Sequence, residues 1–240
     1  MKNRILLITP NLIGIKDGLN RIQPPLGLMI MASTLLKKNY EVKILDTALE
    51  GWSNKVAIDN DKIYIGMKDH EIEEYIRKYK PHIVGISVLF SNLVKSCHTI
   101  AKIIKKVDSN IKVVLGGNHI TNSHIDYMHR VVHPGDKIPL IHDLEDKNID
   151  YAMTGESDFN FLKLVDAIIN GGDIKVVPGI LIKESYGKYF YISSGRISKL
   201  DILPKPARHL VNMEGYFDIG AFHSAKSRSN RVLSIMCSRG

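Results

Sequence analysis

Cysteine is scarce in this chain: Cys97 and Cys237 are the only two among 240 residues. That usage excludes a disulfide framework and fits a reduced, cytoplasmic setting. Long apolar runs are missing as well. No stretch approaches the ~18 residues that a membrane-spanning helix needs. The opening MKNRILLITP is too short an apolar run for a signal peptide, and Asn11 soon interrupts it. No membrane partner is expected. Nor does the body of the chain carry an excess of charge. The net charge is +8, but residues 183–240 hold ten Lys/Arg against four Asp/Glu, which leaves 23 against 21 for residues 1–182. A nucleic-acid-binding body shows a basic stripe on the folded unit. Nucleic acid is therefore not an expected partner, and the basic tail reads as a solvated segment. A His-Glu-x-x-His zinc motif is absent, and so is a G-x-G-x-x-G dinucleotide loop. His119, His124, His129, His133 and His142 are spaced 5, 5, 4 and 9 apart with no cysteine nearby, which fits a polar surface insertion rather than a metal site.

What is present is a series of short Ile/Val-rich runs: residues 4–10, 41–46, 82–90, 111–117 and 149–156. They are apolar without clean alternation, as parallel strands covered on both faces are. Helical patterns lie between them. Residues 25–38 start behind prolines and are apolar almost all round, residues 69–79 open with acids, residues 92–107 put an apolar stripe on one face, and residues 158–170 close the series. Five successive β-α units predict an α/β fold with a doubly wound five-stranded parallel sheet, Rossmann-like or flavodoxin-like. Ligands bind such sheets at the carboxyl ends of the strands. After Gly172, VVPGILIKES and KYFYISSG predict a β-hairpin turning at Tyr186-Gly187. We expect a domain over 1–185 and a connector over 186–240. The polar insertion 121–148 is too long for an ordinary loop.

The fourth strand ends in VVLGGNH, and a tight turn explains only one of its two glycines. The third strand ends in Ser87-Val88-Leu89, with 26 residues between Leu89 and Gly116. Taken singly, Ser87 reads as a helix cap and Gly116-Gly117 as a turn. Together, at this separation and in this fold, they resemble the S-x-L and G-G pair of cobalamin-binding domains. In that family the nucleotide tail of the cofactor enters the sheet edgewise between these strands. The resemblance implies that Ser87 hydrogen-bonds the tail and that the glycines leave it room.

Three further stretches, 24–46, 149–168 and 200–214, resemble the amino-terminal domains of cobalamin-dependent radical S-adenosylmethionine enzymes of methyltransferase type. The closing RVLSIMCSRG is similar to the segment that precedes their C-x-x-x-C-x-x-C cluster loop. The resemblance implies that the [4Fe–4S] cluster and S-adenosylmethionine belong to a following radical domain of the same protein, not to these 240 residues. Cys237 stands before the position of the cluster cysteines and reads as an unremarkable thiol.

Other cobalamin domains carry D-x-H-x-x-G after the first strand, with a histidine ligand to cobalt. Here Thr9-Pro10-Asn11-Leu12-Ile13-Gly14 stands in that place. The expected state is therefore base-off and without histidine ligation. The residues assigned to the cofactor are Thr9, Asn11, Gly14, Pro24 and Pro25 in the first loop and Ser87, Leu89 and Phe90 after the third strand. Gly116, Gly117, Asn118 and His119 follow the fourth strand, and Gly155 and Glu156 the fifth. Glu156 has a second reading, as a stabiliser of the next helix N-terminus. No catalytic acid, base, nucleophile or metal ligand is apparent. The expected role is to present cobalamin for radical methyl transfer. The rival readings are a stand-alone flavodoxin-like flavin or nucleotide sensor, and a relative that keeps the fold without the cofactor.

Overall fold

Ile5, Leu6, Leu7 and Ile8 are all fully buried, so the first strand has apolar cover on both faces. The computed structural model describes residues 3–132, 140–220, 229 and 231–236. It folds the five predicted runs into β1 (Arg4–Thr9), β3 (Glu41–Asp46), β6 (Ile83–Ser87), β7 (Lys112–Gly116) and β8 (Tyr151–Met153). All four junctions between them are parallel. Their order across the sheet is β3-β1-β6-β7-β8, the 2-1-3-4-5 order of flavodoxin-like folds. The predicted hairpin is β9 (Ile180–Ser185) and β10 (Lys188–Tyr191), with Gly187 at φ 70° in its turn. Strand β9 pairs antiparallel with β8, so the hairpin extends the same sheet to seven strands. Strand β10 thus lies inside the folded sheet, although it falls beyond the expected boundary at residue 185.

Helix α1 (Leu26–Lys37) and α7 (Asn160–Asn170) cover one face of the sheet. On the other lie α3 (Asp69–Tyr79), α4 (Val94–Val107) and α5 (Asn118–Val132). Helix α1 starts directly behind Pro24-Pro25, where a missing N–H costs nothing. In α3 the Glu71 carboxylate accepts from the Lys68 backbone N–H at 2.7 Å, while Ile72, Ile76 and Tyr79 face the core. Lys80, at φ 53°, and Pro81 end it.

Two features depart from the sequence reading. The described residues of the polar insertion 121–148 are largely helical. Their first part continues α5, and Ile120 and Tyr127 bury themselves in the core; His142–Glu145 form a short helix, α6. The first loop, which holds the assigned residues Asn11, Gly14, Pro24 and Pro25, contains strand β2 (Leu12–Ile15). It joins β5 (Lys62–Ile65) and β4 (Lys55–Ala57) in a small antiparallel sheet. The short helix α2 (Thr47–Glu50) leads into that sheet, and α8 (Met213–Ile219) lies in the stretch expected to be a connector. His133, Cys237 and the closing Ser238-Arg239-Gly240 lie outside the described residues.

Candidate functional site

Beyond β3 the chain crosses β1 and continues at β6. A doubly wound sheet opens a crevice at such a point, because the connections on either side lead away from each other. A cavity of about 780 Å³ occupies it, within the ~300–1,000 Å³ of typical small-molecule sites. Strand registers define its floor. Thr9 pairs with Asp46 and Ser87 with Gly116, and the Ile8–Ile86 pairing sets Thr9 beside Ser87. Asp46, Thr9, Ser87 and Gly116 thus form one rung at the carboxyl ends of four strands. The next rung on that face is Ile44, Leu7, Gly85 and Val114.

The outer rung holds a polar atom that the described residues leave unused. Thr9 Oγ1 is buried and has no hydrogen-bond partner among the described residues. Ser87, two residues beyond the glycine in β6, lines the cavity. Asp46 is committed: its Oδ1 accepts from the N–H groups of Ala48 and Leu49, both at 3.1 Å, and its Oδ2 accepts from the Tyr216 hydroxyl at 2.6 Å. Burial pushes its carboxyl up to about 6 despite these three donors.

The two glycines do different jobs. A Cβ at Gly116 would meet only the Met153 carbonyl, at 3.8 Å, so the bare backbone leaves open space above the strand. Gly117 sits at φ 103°, and a Cβ there would fall 2.7 Å from the Val88 carbonyl oxygen. The turn alone requires Gly117. Both glycines line the cavity; open space lies over Gly116, whereas the bare position of Gly117 is accounted for by the turn.

Thr9, Pro24, Pro25, Ser87, Leu89 and Phe90 all line the cavity. So do Gly116, Gly117, Asn118, Gly155 and Glu156. Leu89 and Phe90 are 49% and 61% exposed at its mouth, an uncommon setting for adjacent large apolar side chains. Glu156 Oε2 accepts from the Ile197 N–H at 2.6 Å, which ties the connector to the rim.

Three assigned residues are placed elsewhere. Asn11 is fully buried and donates to the Met67 carbonyl at 2.8 Å, packed against Gly66. Gly14 lies in β2, where a Cβ would overlap the Asn20 side chain. His119 turns towards α6. Its Nε2 stands 3.2 Å from Asp143 Oδ2 and its Nδ1 2.9 Å from Ser91 Oγ. Asp143 Oδ1 also meets His98 Nε2 at 3.1 Å, and His98 Nδ1 meets Asp146 Oδ2 at 2.6 Å. An imidazole between two carboxylates donates from both nitrogens only when charged. The bonds to Asp143 and Asp146 accordingly raise the His98 pKa against the opposing effect of its burial.

Sequence reasoning missed Gly85, Asp46, Leu28, Met31 and Phe161, all of which line the cavity. Gly85 had a signal, since a lone glycine inside a strand often marks a close approach. Asp46 stands in Asp46-Thr47-Ala48-Leu49-Glu50-Gly51, a run that invites dismissal as coincidence. The others look like ordinary core. The fit to a flat ligand with a ring-bearing tail rests on the orphaned Thr9 hydroxyl, the space over Gly116 and the depth of the crevice.

Comparison with known proteins agrees with this geometry. The chain is 30% identical to cytidylyl-2-hydroxyethylphosphonate methyltransferase of Streptomyces wedmorensis over 260 residues, covering 99% of this chain and 46% of that protein. An uncharacterized methyltransferase of Pyrococcus horikoshii is 28% identical, with 88% of this chain and 39% of that one covered. The chain thus spans less than half the length of these curated relatives. In fold it is similar to the cobalamin-dependent S-adenosylmethionine radical enzyme OxsB, solved with aqua-cobalamin and S-adenosylmethionine bound. The TM-score is 0.63 at 12% identity, over 92% of this chain and 26% of that one. It is also similar to the radical S-adenosylmethionine methyltransferase TsrM of Kitasatospora setae, with a TM-score of 0.54 at 19% identity, over 81% and 31% of the two chains. Residues 18–138 match the model of the B12 binding domain, and the chain belongs to that family.

Proposed function

We propose that this chain holds cobalamin base-off, without a histidine ligand to cobalt, and presents it to a radical S-adenosylmethionine domain for methyl transfer. The observation that carries this reading is the rung Thr9–Ser87–Gly116 at the crevice, with an orphaned hydroxyl, a cavity-lining serine and a vacant space side by side. Ser87 and Thr9 would hold the tail by hydrogen bonds. Leu89, Phe90 and Pro24-Pro25 would shield the corrin from water at the mouth. The absence of histidine from the described residues lining the cavity supports the His-off state. Cobalamin, when bound, supplies cobalt–carbon chemistry; this chain's part is to bind, orient and shield. Methyl transfer rests on the two curated methyltransferase relatives, which are more than twice as long as the matched region, and the radical domain on the likeness in fold to OxsB and TsrM. A [4Fe–4S] cluster and S-adenosylmethionine in that further domain are suggested by solved structures of TsrM with the cluster bound and of OxsB with S-adenosylmethionine bound.

The test is to mix the purified chain with hydroxocobalamin and, separately, with FMN, and to record the spectrum of the protein fraction after desalting. Retained corrinoid absorption without retained flavin is the expected result. Retained flavin without corrinoid would replace the reading with a flavodoxin-like sensor, and retention of neither would leave only the fold.

A further inference from the structure

A second cavity, of about 220 Å³, lies against the start of α1. It adjoins the crevice, and Leu26, Ser234 and Met236 line both. Much of its remaining wall comes from the stretch beyond the hairpin. That stretch is clamped onto α1: the Ser33 hydroxyl donates to the Lys205 carbonyl at 2.6 Å, and the Ala207 N–H to the Met29 carbonyl at 3.0 Å. Arg208 follows at once, at the head of the single 3₁₀ turn Arg208–Leu210. Among the described residues it is the only charged one in this lining.

The Arg208 guanidinium is incompletely used. Its Nη2 donates to the Ser234 carbonyl at 2.7 Å, whereas Nη1 is buried and has no hydrogen-bond partner among the described residues. No carboxylate among them pairs with it, although its neighbour Arg231 is matched by Glu214 at 2.7 Å. A guanidinium is always charged, and a desolvated cation without a counter-charge is costly. Apart from Ser234, the surrounding walls are aliphatic, proline and methionine side chains, which offer no anion. We propose that this cavity is a binding site for a short aliphatic carboxylate. The carboxylate would accept from Nη1, supplying both the missing acceptor and the missing charge, and charge-assisted bonds of this kind are among the stronger ones. Its alkyl body would lie against Leu26, Ile30, Leu203 and Pro206. A lone cation matches one negative charge, which favours a carboxylate over a phosphate dianion. At ~30 Å³ per heavy atom the space takes about seven of them, the size of pentanoate. The site lies outside the crevice and does not depend on what the crevice holds.

The test is to titrate the isotope-labelled chain with pentanoate, pentanamide and inorganic phosphate while following the Arg208 side chain by nuclear magnetic resonance. Pentanoate should shift the Arg208 Nε–H signal saturably. Pentanamide has the body without the charge, and phosphate the charge without the body; each should bind about tenfold more weakly or worse. Pentanamide as tight as pentanoate would show that the charge is not read, and phosphate as tight would show that the apolar wall is not; either result overturns the proposal. Saturation that leaves the Arg208 signal unmoved overturns the placement, and no saturation overturns the site. Arg208→Gln should weaken pentanoate about tenfold or more, and Arg208→Lys should recover part of that loss. A folded Arg208→Gln chain with wild-type affinity for pentanoate also overturns the site. If that variant does not fold, the wild-type titrations decide.

Discussion

At the scale of single residues, Gly116 and Gly117 separate packing from conformation. Valine at Gly117 would need a left-handed backbone and would press on the Val88 carbonyl. We expect Gly117→Val to lower stability by roughly 1–3 kcal/mol or more, read as a drop in Tm. Valine at Gly116 meets no such obstacle, and a β-branched residue suits a strand. Gly116→Val should melt near wild type and lose hydroxocobalamin. Wild-type binding by a well-folded Gly116→Val chain would remove the ligand from this rung. Ser87→Ala is the milder partner. One hydrogen bond contributes about 0.5–1.5 kcal/mol net, so binding should weaken about tenfold at most, with no matching change in melting.

At the scale of elements, the group formed by His98, Asp143, Asp146 and His119 ties α4 and the start of α5 to α6. The bonds to Asp143 and Asp146 raise the His98 pKa above 6.5. Its stabilisation is therefore complete below pH 6.5 and is lost as the pH rises through the folded-state value. Burial pushes the carboxyls of Asp143 and Asp146 up. The bonds from His98 and His119 to the first, and from the Asn148 N–H and His98 to the second, outweigh it and hold both below 3.8. Their share is present above pH 3.8 and lost in stronger acid. The group thus stabilises most between about pH 4 and 6.5. The Tm difference between wild type and His98→Ala should be largest near pH 5.5 and smaller at pH 8.5. An equal difference at both would mean that His98 acts by packing alone.

Tyr216 and Asp46 connect the same logic to the connector. Helix α8 docks through the Tyr216 hydroxyl onto a carboxylate at the carboxyl end of β3. Tyr216→Phe leaves Asp46 Oδ2 buried with that donor removed, at a cost of about 1–3 kcal/mol. It should also open α8 to limited proteolysis. Unchanged Tm and digestion would show that α8 is held by its apolar contacts. The pH sign is that of His98 and opposite to that of Asp143 and Asp146. The Asp46 pKa is raised from 3.8 to about 6, so the folded state holds the proton more tightly and stability declines as the pH rises between those values. Asp46→Asn should flatten that decline.

At the scale of the whole molecule, the crevice lies where the sheet's connections diverge, with the small sheet, the hairpin's connector and the segment around Ser234 and Met236 gathered at its rim. Among the described residues, none in the lining supplies an imidazole. Electron paramagnetic resonance of the bound Co(II) form should show no strong nitrogen superhyperfine splitting. A clear triplet from an axial nitrogen would contradict the His-off state.

The sequence by itself determined the strand series, its parallel character and the helices between, because a strand covered on both faces must be apolar at every position. It also determined the rim of the site, since Ser87 and Gly116 sit at strand ends that any doubly wound sheet brings together. The tertiary structure decided what depends on direction and register. Asn11 and His119 are close to the crevice in the chain, yet their side chains serve Met67 and Asp143, and Gly14 makes room for the Asn20 side chain. Sequence proximity fixes where a backbone goes but not which way a side chain turns. Residues 12–15 became a strand because β5, some fifty residues on, offered an antiparallel partner. The inner wall was hidden for the same reason. Leu28, Val114 and Phe161 have the composition of core, and only the register that leaves Gly85 between Leu7 and Val114 turns part of that core into the floor of a cavity.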